Sequence, residues 1–414
     1  MYDAIVVGAR CAGSPTAMLL ARRGYRVLLV DRAAFPSDTV STHILWPHGA
    51  EVLRRWGLLD RLIATGLPPI CRAMRFDVGP FALTGSVPDA NDGAGGYCPR
   101  RTVLDHLLVT GAVESGVEFR ERCVVDSLVF EGERVVGIRG PRYEDRSRIV
   151  IGADGVHSLV ARAAGAREYD ARPALACAYY SYFTDVVQND IELYVRDRCG
   201  FGGAPTHDGQ HLVMVNWPAA QFADVRSDID AHVAAALAQA PDFAARVHAG
   251  RRREKWYGAA GVPNYFRTSH GQGWALVGDA GCCKDPMAAQ GISDAFLDAE
   301  SLAEAIDAGF SGRAALGEAL AAHEKARHQR IGPMYEFTQQ LARLEPPPAQ
   351  MQQLFAALRG NQDATNAFFS AITGAIPLPE FMSPENVGRI LAAGSQREAD
   401  RRATISGGPH VHQS

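Results

Sequence analysis

The chain has 414 residues, 47% hydrophobic and 21% charged, with a formal net charge of −4 at pH 7. This is enough for more than one core, too apolar for a disordered chain, and without a basic field for nucleic acid, so Arg22-Arg23, Arg54-Arg55 and Arg251-Arg252-Arg253 read as solvated faces. No apolar run reaches the length of a membrane span, and the first strand begins beside Met1 with no room for a signal peptide, so a cytoplasmic protein is expected.

Residues 5–7 read as a short buried strand, Gly8 as a tight turn, and 13–23 as a helix whose first amides can face a pyrophosphate. Ala12, Ala17 and Ala21 are small enough to let this helix lie close to a sheet, and Gly24 ends it. Residues 26–30 form the second strand. Asp31 follows, 23 positions after Gly8, where a carboxylate can accept from both ribose hydroxyls. The order strand, turn, helix, strand, acid describes a dinucleotide-binding βαβ unit, and the acid favours a ribose without a 2′-phosphate. Arg10 stands where the second glycine of the pattern belongs. Its side chain either turns outward while its backbone fits, or reaches toward the cofactor phosphates.

A polar loop at 35–43 precedes a helix from Pro47 with Leu53, Trp56, Leu58 and Leu59 on its apolar side. Residues 70–98 have the composition of hairpin strands, and 101–116 that of a helix. Strands are predicted at 117–119, 123–130 and 135–139, with a turn at Glu131-Gly132-Glu133, before 148–151 return to the buried sheet. Between 170 and 265 strand patterns dominate, notably 177–183, 191–195 and 211–217, with one helix between 228 and 240. Residues 273–279 resume the parallel sheet and lead into a long helix over 291–308. Beyond 312 the chain reads as helical, interrupted at Pro346-Pro347-Pro348, with a frayed tail after about 395.

The expected fold is α/β: a Rossmann-like domain with an inserted, mainly antiparallel substrate sheet and a helical C-terminal segment. The first domain takes 1–75, 98–170 and 268–330, the sheet 76–97 and 171–267, and the helical segment 331–414. The eight cysteines have neither CxxC pairing nor a histidine cluster at zinc spacing, so buried thiols and no metal are expected. Adjacent Cys282 and Cys283 cannot close a relaxed disulfide, which argues against a disulfide reductase.

Two later segments extend the reading. One is Ile149-Val150-Ile151-Gly152-Ala153-Asp154-Gly155, with Arg162 beyond it; the other is Leu276-Val277-Gly278-Asp279-Ala280-Gly281, followed by Asp285-Pro286 and Gln290-Gly291. Together with the glycine unit and Arg101, they resemble the para-hydroxybenzoate hydroxylase-like superfamily (group A flavoprotein monooxygenases) over almost all of residues 1–300. The resemblance implies FAD, with Gly8, Gly13 and Asp31 at its ADP half, Arg10 and Arg32 in the same site, Arg101 on the extended cofactor and the Val124 backbone near adenine. It implies Gly278 and Asp279 at the ribityl chain, and Pro286 to Gly291, including Gln290, around the flavin ring. A helix start there would face the pole where negative charge gathers on reduction. Asp154 would cap a helix or assist the nicotinamide donor.

There is no second glycine pattern, so NADH or NADPH would bind transiently or a partner reductase would supply reduced flavin. The activity implied is hydroxylation of an aromatic or polyketide-like small molecule, in secondary metabolism, by molecular oxygen through a flavin C4a-hydroperoxide. Residues 285–291 and Ser41-Thr42-His43 also resemble the geranylgeranyl-reductase-like branch, so reduction of isoprenoid double bonds is the alternative. Flavin halogenases share the fold, but of their tryptophan-containing pair only Trp217 and Pro218 are present here; a non-catalytic flavin-binding protein is a further alternative. A homodimer is left open.

His43 would act as acid or base near the flavin, or be a loop histidine bonded to backbone. Lys284 would neutralise reduced flavin or an acidic substrate group, or be exposed. Tyr180, Tyr182, His211 and Trp217 would line the face opposite the flavin, or pack as core. Residues 367–372 would pack as an ordinary C-terminal helix, cover a substrate channel or touch a membrane.

Overall fold

Ala4, Ile5 and Val6 have no exposed surface, and strand β1 (Tyr2–Val7) runs through the middle of a parallel sheet. The structure, a computed structural model, describes residues 1–87, 95–188 and 190–406, with side chains as far as 399. On one side β1 pairs with β2 (Val27–Val30), which pairs with Glu118–Arg120; on the other it pairs with Tyr143–Gly152, then Trp274–Leu276. Such continuous apolar strands belong to a sheet covered on both faces. Ala4 and Val6 face helix α1 (Gly13–Ala21) and helices Arg101–Glu114 and Gly291–Phe310. Ile5 and Val7 face the hairpin Ser127–Glu131/Arg134–Gly140 and the helix Leu159–Ala163. Residues 123–126, predicted as strand, lie outside it, because the strand begins at Ser127.

The second large sheet contains, in order, Arg251–Arg252, Ala176–Thr184, His211–Pro218, Cys199–Pro205, Glu192–Arg196, Met74–Asp77 and Ala82–Gly85, with Tyr257–Ala259 on Ala176–Thr184. It is antiparallel except where Glu192–Arg196 meets Met74–Asp77. Its central strand, Cys199–Pro205, was not predicted: three glycines and a proline read as loop, but neighbouring strands pair along its whole length. The single helix expected over 228–240 is three: Phe222–Ser227, Ile229–Leu237 and Pro241–Ala249, which cover the sheet's outer face. The predicted hairpin region includes 88–94, which lie outside the described residues.

The C-terminal part comprises helices Leu316–Ala342, Ala349–Leu358, Gln362–Ile372, Leu378–Phe381 and Pro384–Ser406. The expected fraying from 395 does not begin there: Arg397 donates to the Ala357 carbonyl at 2.6 Å and the helix continues to Ser406. Residues 407–414 lie outside the described residues. Phe368 and Phe369 are buried among the helices and the inner sheet face, so 367–372 pack as an ordinary helix. Among the described residues no helix is long and apolar enough to cross a membrane.

Candidate cofactor and substrate site

The turn after β1 closes on itself. Gly8 has φ +104°, and a Cβ there would lie 2.4 Å from the Ala153 carbonyl oxygen; a Cβ on Gly13 would lie 1.7 Å from that of Gly8. Only glycine fits either position. Asp31 is fixed at the end of β2, its two oxygens accepting from Ala9 N and Ala33 N, each at 2.7 Å. Each oxygen keeps a lone pair for a ribose hydroxyl. Arg32 is exposed beside it, and a bond from Cys123 N to the Asp31 carbonyl at 2.8 Å brings exposed Val124 to the same edge.

Arg10 follows neither expected course. It turns inward, donating to Asp105 Oδ2 at 2.6 Å, Ser37 Oγ at 3.0 Å and the Asp38 carbonyl at 3.2 Å. Wholly buried Asp105 also receives the Arg101 fork at 2.9 and 3.0 Å and the Cys11 thiol at 3.3 Å. Burial holds the Cys11 thiol far above its ordinary range, so it stays protonated. Sequence reasoning missed Asp105; its i, i+4 spacing from Arg101 was the available signal.

Asp154 caps the helix that follows it, accepting from Ser158 Oγ, from Leu159 N at 2.7 Å and from Val160 N at 3.2 Å. Gly278 has φ +61°, and a Cβ there would lie 2.7 Å from that of Ala12, so this turn abuts the first. Asp279 next to it meets solvent, yet protein crowds it enough to raise its carboxyl pKa against the pull of Lys284 and Arg101. A group both exposed and crowded lines a cleft. Lys284 is mostly buried and ion-paired with Asp294, so it is not the exposed lysine that was one reading.

Asp285 holds the next segment: its oxygens accept from Met287 N and Ala176 N at 3.2 Å, its own N–H donates to Asn264 Oδ1 at 2.6 Å, and burial raises its pKa to about 6. Pro286 opens a short turn, and the Ala288 carbonyl takes the Trp46 indole N–H at 3.0 Å. Gln290 Nε2 donates to the Ile372 carbonyl at 2.9 Å, so this side chain anchors the segment to a C-terminal helix. Gly291 begins a 20-residue helix, with open space where its Cβ would be. Two turns that exclude side chains, an acid with spare lone pairs, a carboxylate in a cleft and an open helix start together fit FAD.

The inner face of the inserted sheet is fixed by register. One rank across it reads Tyr257, Tyr180, Met214, Gly202, Leu193, Phe76; the next reads Ala178, Asn216, Gly200, Val195. The central strand has no side chain at Gly200 or Gly202, Met214, Leu193 and Val195 around them are half-buried, and buried Leu344 packs over Gly200, its Cδ2 3.3 Å from where a Cβ would be. Met287 reaches the same point from the cofactor-facing segment, its Cε 3.5 Å from where a Gly200 Cβ would be.

His43 lies beneath this face, wholly buried at φ 63°, with Nε2 2.8 Å from the Tyr182 hydroxyl and its ring edge-on to Tyr180 and Tyr182. Burial, reinforced by Arg101 and Arg100, lowers its pKa to about 3. That corrects the expectation of an acid or base working near neutral pH. The expectation that Tyr180, Tyr182, His211 and Trp217 share a face is also corrected. Trp217 pairs with Cys177 and lies on the outer face, in the cluster that includes Val233 and Phe243. His211 pairs with Phe183, donates from Nε2 to the Gln188 carbonyl at 2.7 Å, and lines a separate cavity of about 270 Å³.

The digeranylgeranylglycerophospholipid reductase of Methanosarcina mazei is 30% identical over 335 residues, covering 74% of this chain and 76% of that protein. Among solved structures, the myxobacterial chondrochloren halogenase CndH has TM-score 0.75 at 24% identity, covering 95% of this chain and 96% of that one. PqsL of Pseudomonas aeruginosa, solved with 2-aminobenzoylacetate, has TM-score 0.70 at 21% identity, covering 83% and 96%. These two structures share the fold. The sequence itself matches the FAD binding domain family over residues 1–338. The chain therefore belongs to that family, within the para-hydroxybenzoate hydroxylase-like superfamily of FAD-dependent oxidoreductases.

Proposed function

We propose that this oxidoreductase is a monooxygenase that hydroxylates a compact aromatic or polyketide-like molecule, with NADH or NADPH as donor and molecular oxygen as co-substrate. The observation that carries this reading is the apolar inner sheet face, where Tyr180 and Met214 on one side and Leu193 and Val195 on the other flank a central strand without side chains at Gly200 and Gly202. A flat ring fits such a face, with apolar walls excluding water from the reacting atoms. The chemistry supplied when FAD is bound is two-electron transfer from donor to oxygen.

Gly8, Gly13 and Asp31 would bind the ADP half, Asp279 would orient the ribityl chain, and the helix start at Gly291 would place unpaired N–H groups beside the negative pole of the reduced ring. Neutral His43 would orient the Tyr182 hydroxyl rather than move a proton itself. The test is oxidation of NADH and NADPH, with oxygen uptake, by the yellow protein against a panel of phenols. A hydroxylated product and at least about tenfold stimulation by one phenol are expected; donor oxidation that no phenol alters, with no hydroxylated product, defeats the reading.

A second reading, reduction of an isoprenoid double bond, is favoured by the similarity to the Methanosarcina mazei reductase. Anaerobic saturation of a geranylgeranyl chain by the reduced protein would select it.

A further inference from the structure

Two buried side chains that touch neither cleft nor solvent grip the Gly278–Gly281 turn from behind. Asp298, on helix Gly291–Phe310, is 2% exposed, and its Oδ2 accepts from Gly278 N at 2.9 Å. Arg327, on helix Leu316–Ala342, has no exposed surface; its Nη2 donates to the Gly281 carbonyl at 3.3 Å, to the Arg267 carbonyl at 3.4 Å and to Ser269 Oγ. A Cβ on Gly281 would lie 2.4 Å from Arg327 Nη1, so the guanidinium lies directly against the turn. Gly281 N closes the turn on the Gly278 carbonyl at 2.9 Å, and Arg327 Nη1 stands 3.6 Å from Asp298 Oδ2. His323 and Arg330 approach the other Asp298 oxygen at 3.5 and 3.7 Å.

Burying these charges is costly, and Arg327 Nε and Nη1 have no hydrogen-bond partner among the described residues. What the arrangement achieves is one fixed geometry at both ends of the turn that presents Asp279 to the cleft. We propose that Asp298 and Arg327 are positioning residues for FAD: without touching it, they set the turn that receives its ribityl half. This rests on FAD lying from the Gly8 turn to Asp279.

The test titrates apoprotein with FAD and separately with ADP, which reaches only the Gly8 and Asp31 end. For Asp298→Ala and Arg327→Met, FAD is expected to bind at least about tenfold more weakly while ADP affinity stays within about twofold. Asp298→Asn keeps an oxygen for the Gly278 N–H and is expected to lose less than Asp298→Ala. If the first two variants fail to fold, Arg327→Lys decides, since it keeps the charge and loses the fork: selective loss of FAD supports the proposal. FAD binding unchanged, or FAD and ADP weakened equally, overturns it. Wild-type apoprotein that takes up no FAD instead overturns the cofactor placement, so the two failures are distinct.

Discussion

Asp105 accepts from three side chains while wholly buried, so its removal exposes what the site's electrostatics cost. Arg10 and Arg101 would be left without their carboxylate in a region where burial penalises charge. Asp105→Leu is expected to destabilise the fold by about 3–5 kcal/mol, read from urea unfolding, with Arg10 released from its anchor. An unchanged denaturation midpoint would mean that solvent screens the arginines. The sequence pointed to Arg10 as the departure from the glycine pattern, but could not say where its guanidinium went. The answer is a carboxylate 95 positions away, and single-sequence spacing carries no information about such a pair.

At the scale of elements, the glycine-rich strand Cys199–Pro205 sets what the inner sheet face can hold. Gly200→Val would put two methyl groups against Leu344 Cδ2, 3.3 Å from the Cβ position, and Met287 Cε. The expected outcome is a rise in KM of about tenfold for the hydroxylated substrate with FAD affinity unchanged. Trp217→Phe, on the outer face, should lower the thermal midpoint and leave kcat/KM unaltered. If Trp217→Phe impairs turnover and Gly200→Val does not, the substrate lies elsewhere. This strand was illegible because glycine and proline weaken strand propensity, while pairing with a strand on each side overrides that weakness. Tyr180 and Trp217 were assigned to one face for a related reason: strands alternate, but the parity between two strands follows from pairing register.

For the whole molecule, buried histidines couple stability to pH. His43 and His323 fall from an ordinary 6.5 to about 3 and about 4, chiefly by burial, so both are neutral in the folded protein. Their stabilisation is present above pH 6.5 and lost as pH falls through those values, because the unfolded chain takes up protons first. Asp285 works oppositely: raised from 3.8 to about 6 by burial, it loses its stabilising contribution as pH rises through 6. On acidification the two histidines, with His48, His207 and His211 lowered by burial in the same way, outweigh the one carboxyl. Urea midpoints measured from pH 7 to 4.5 should fall. His323→Gln should flatten the curve, and a midpoint that rises on acidification contradicts the assignment. Arg100, just before the helix that packs on the parallel sheet, pairs with Glu254 at 2.8 Å and lies 3.7 Å over the Tyr182 ring of the second sheet, a contact between distant segments that local patterning does not encode.

The sequence by itself determined the strand, turn and helix that open the chain, Asp31 at the end of β2 and the glycines of the Gly8 turn, because each is required by backbone geometry within a few residues. The tertiary structure alone decided that Asp105 joins Arg10 to Arg101, that Asp298 and Arg327 lie behind the Gly278 turn, and which face each strand turns inward. Those are contacts between segments far apart in the chain, and their register and burial exist only after the sheets have paired and packed.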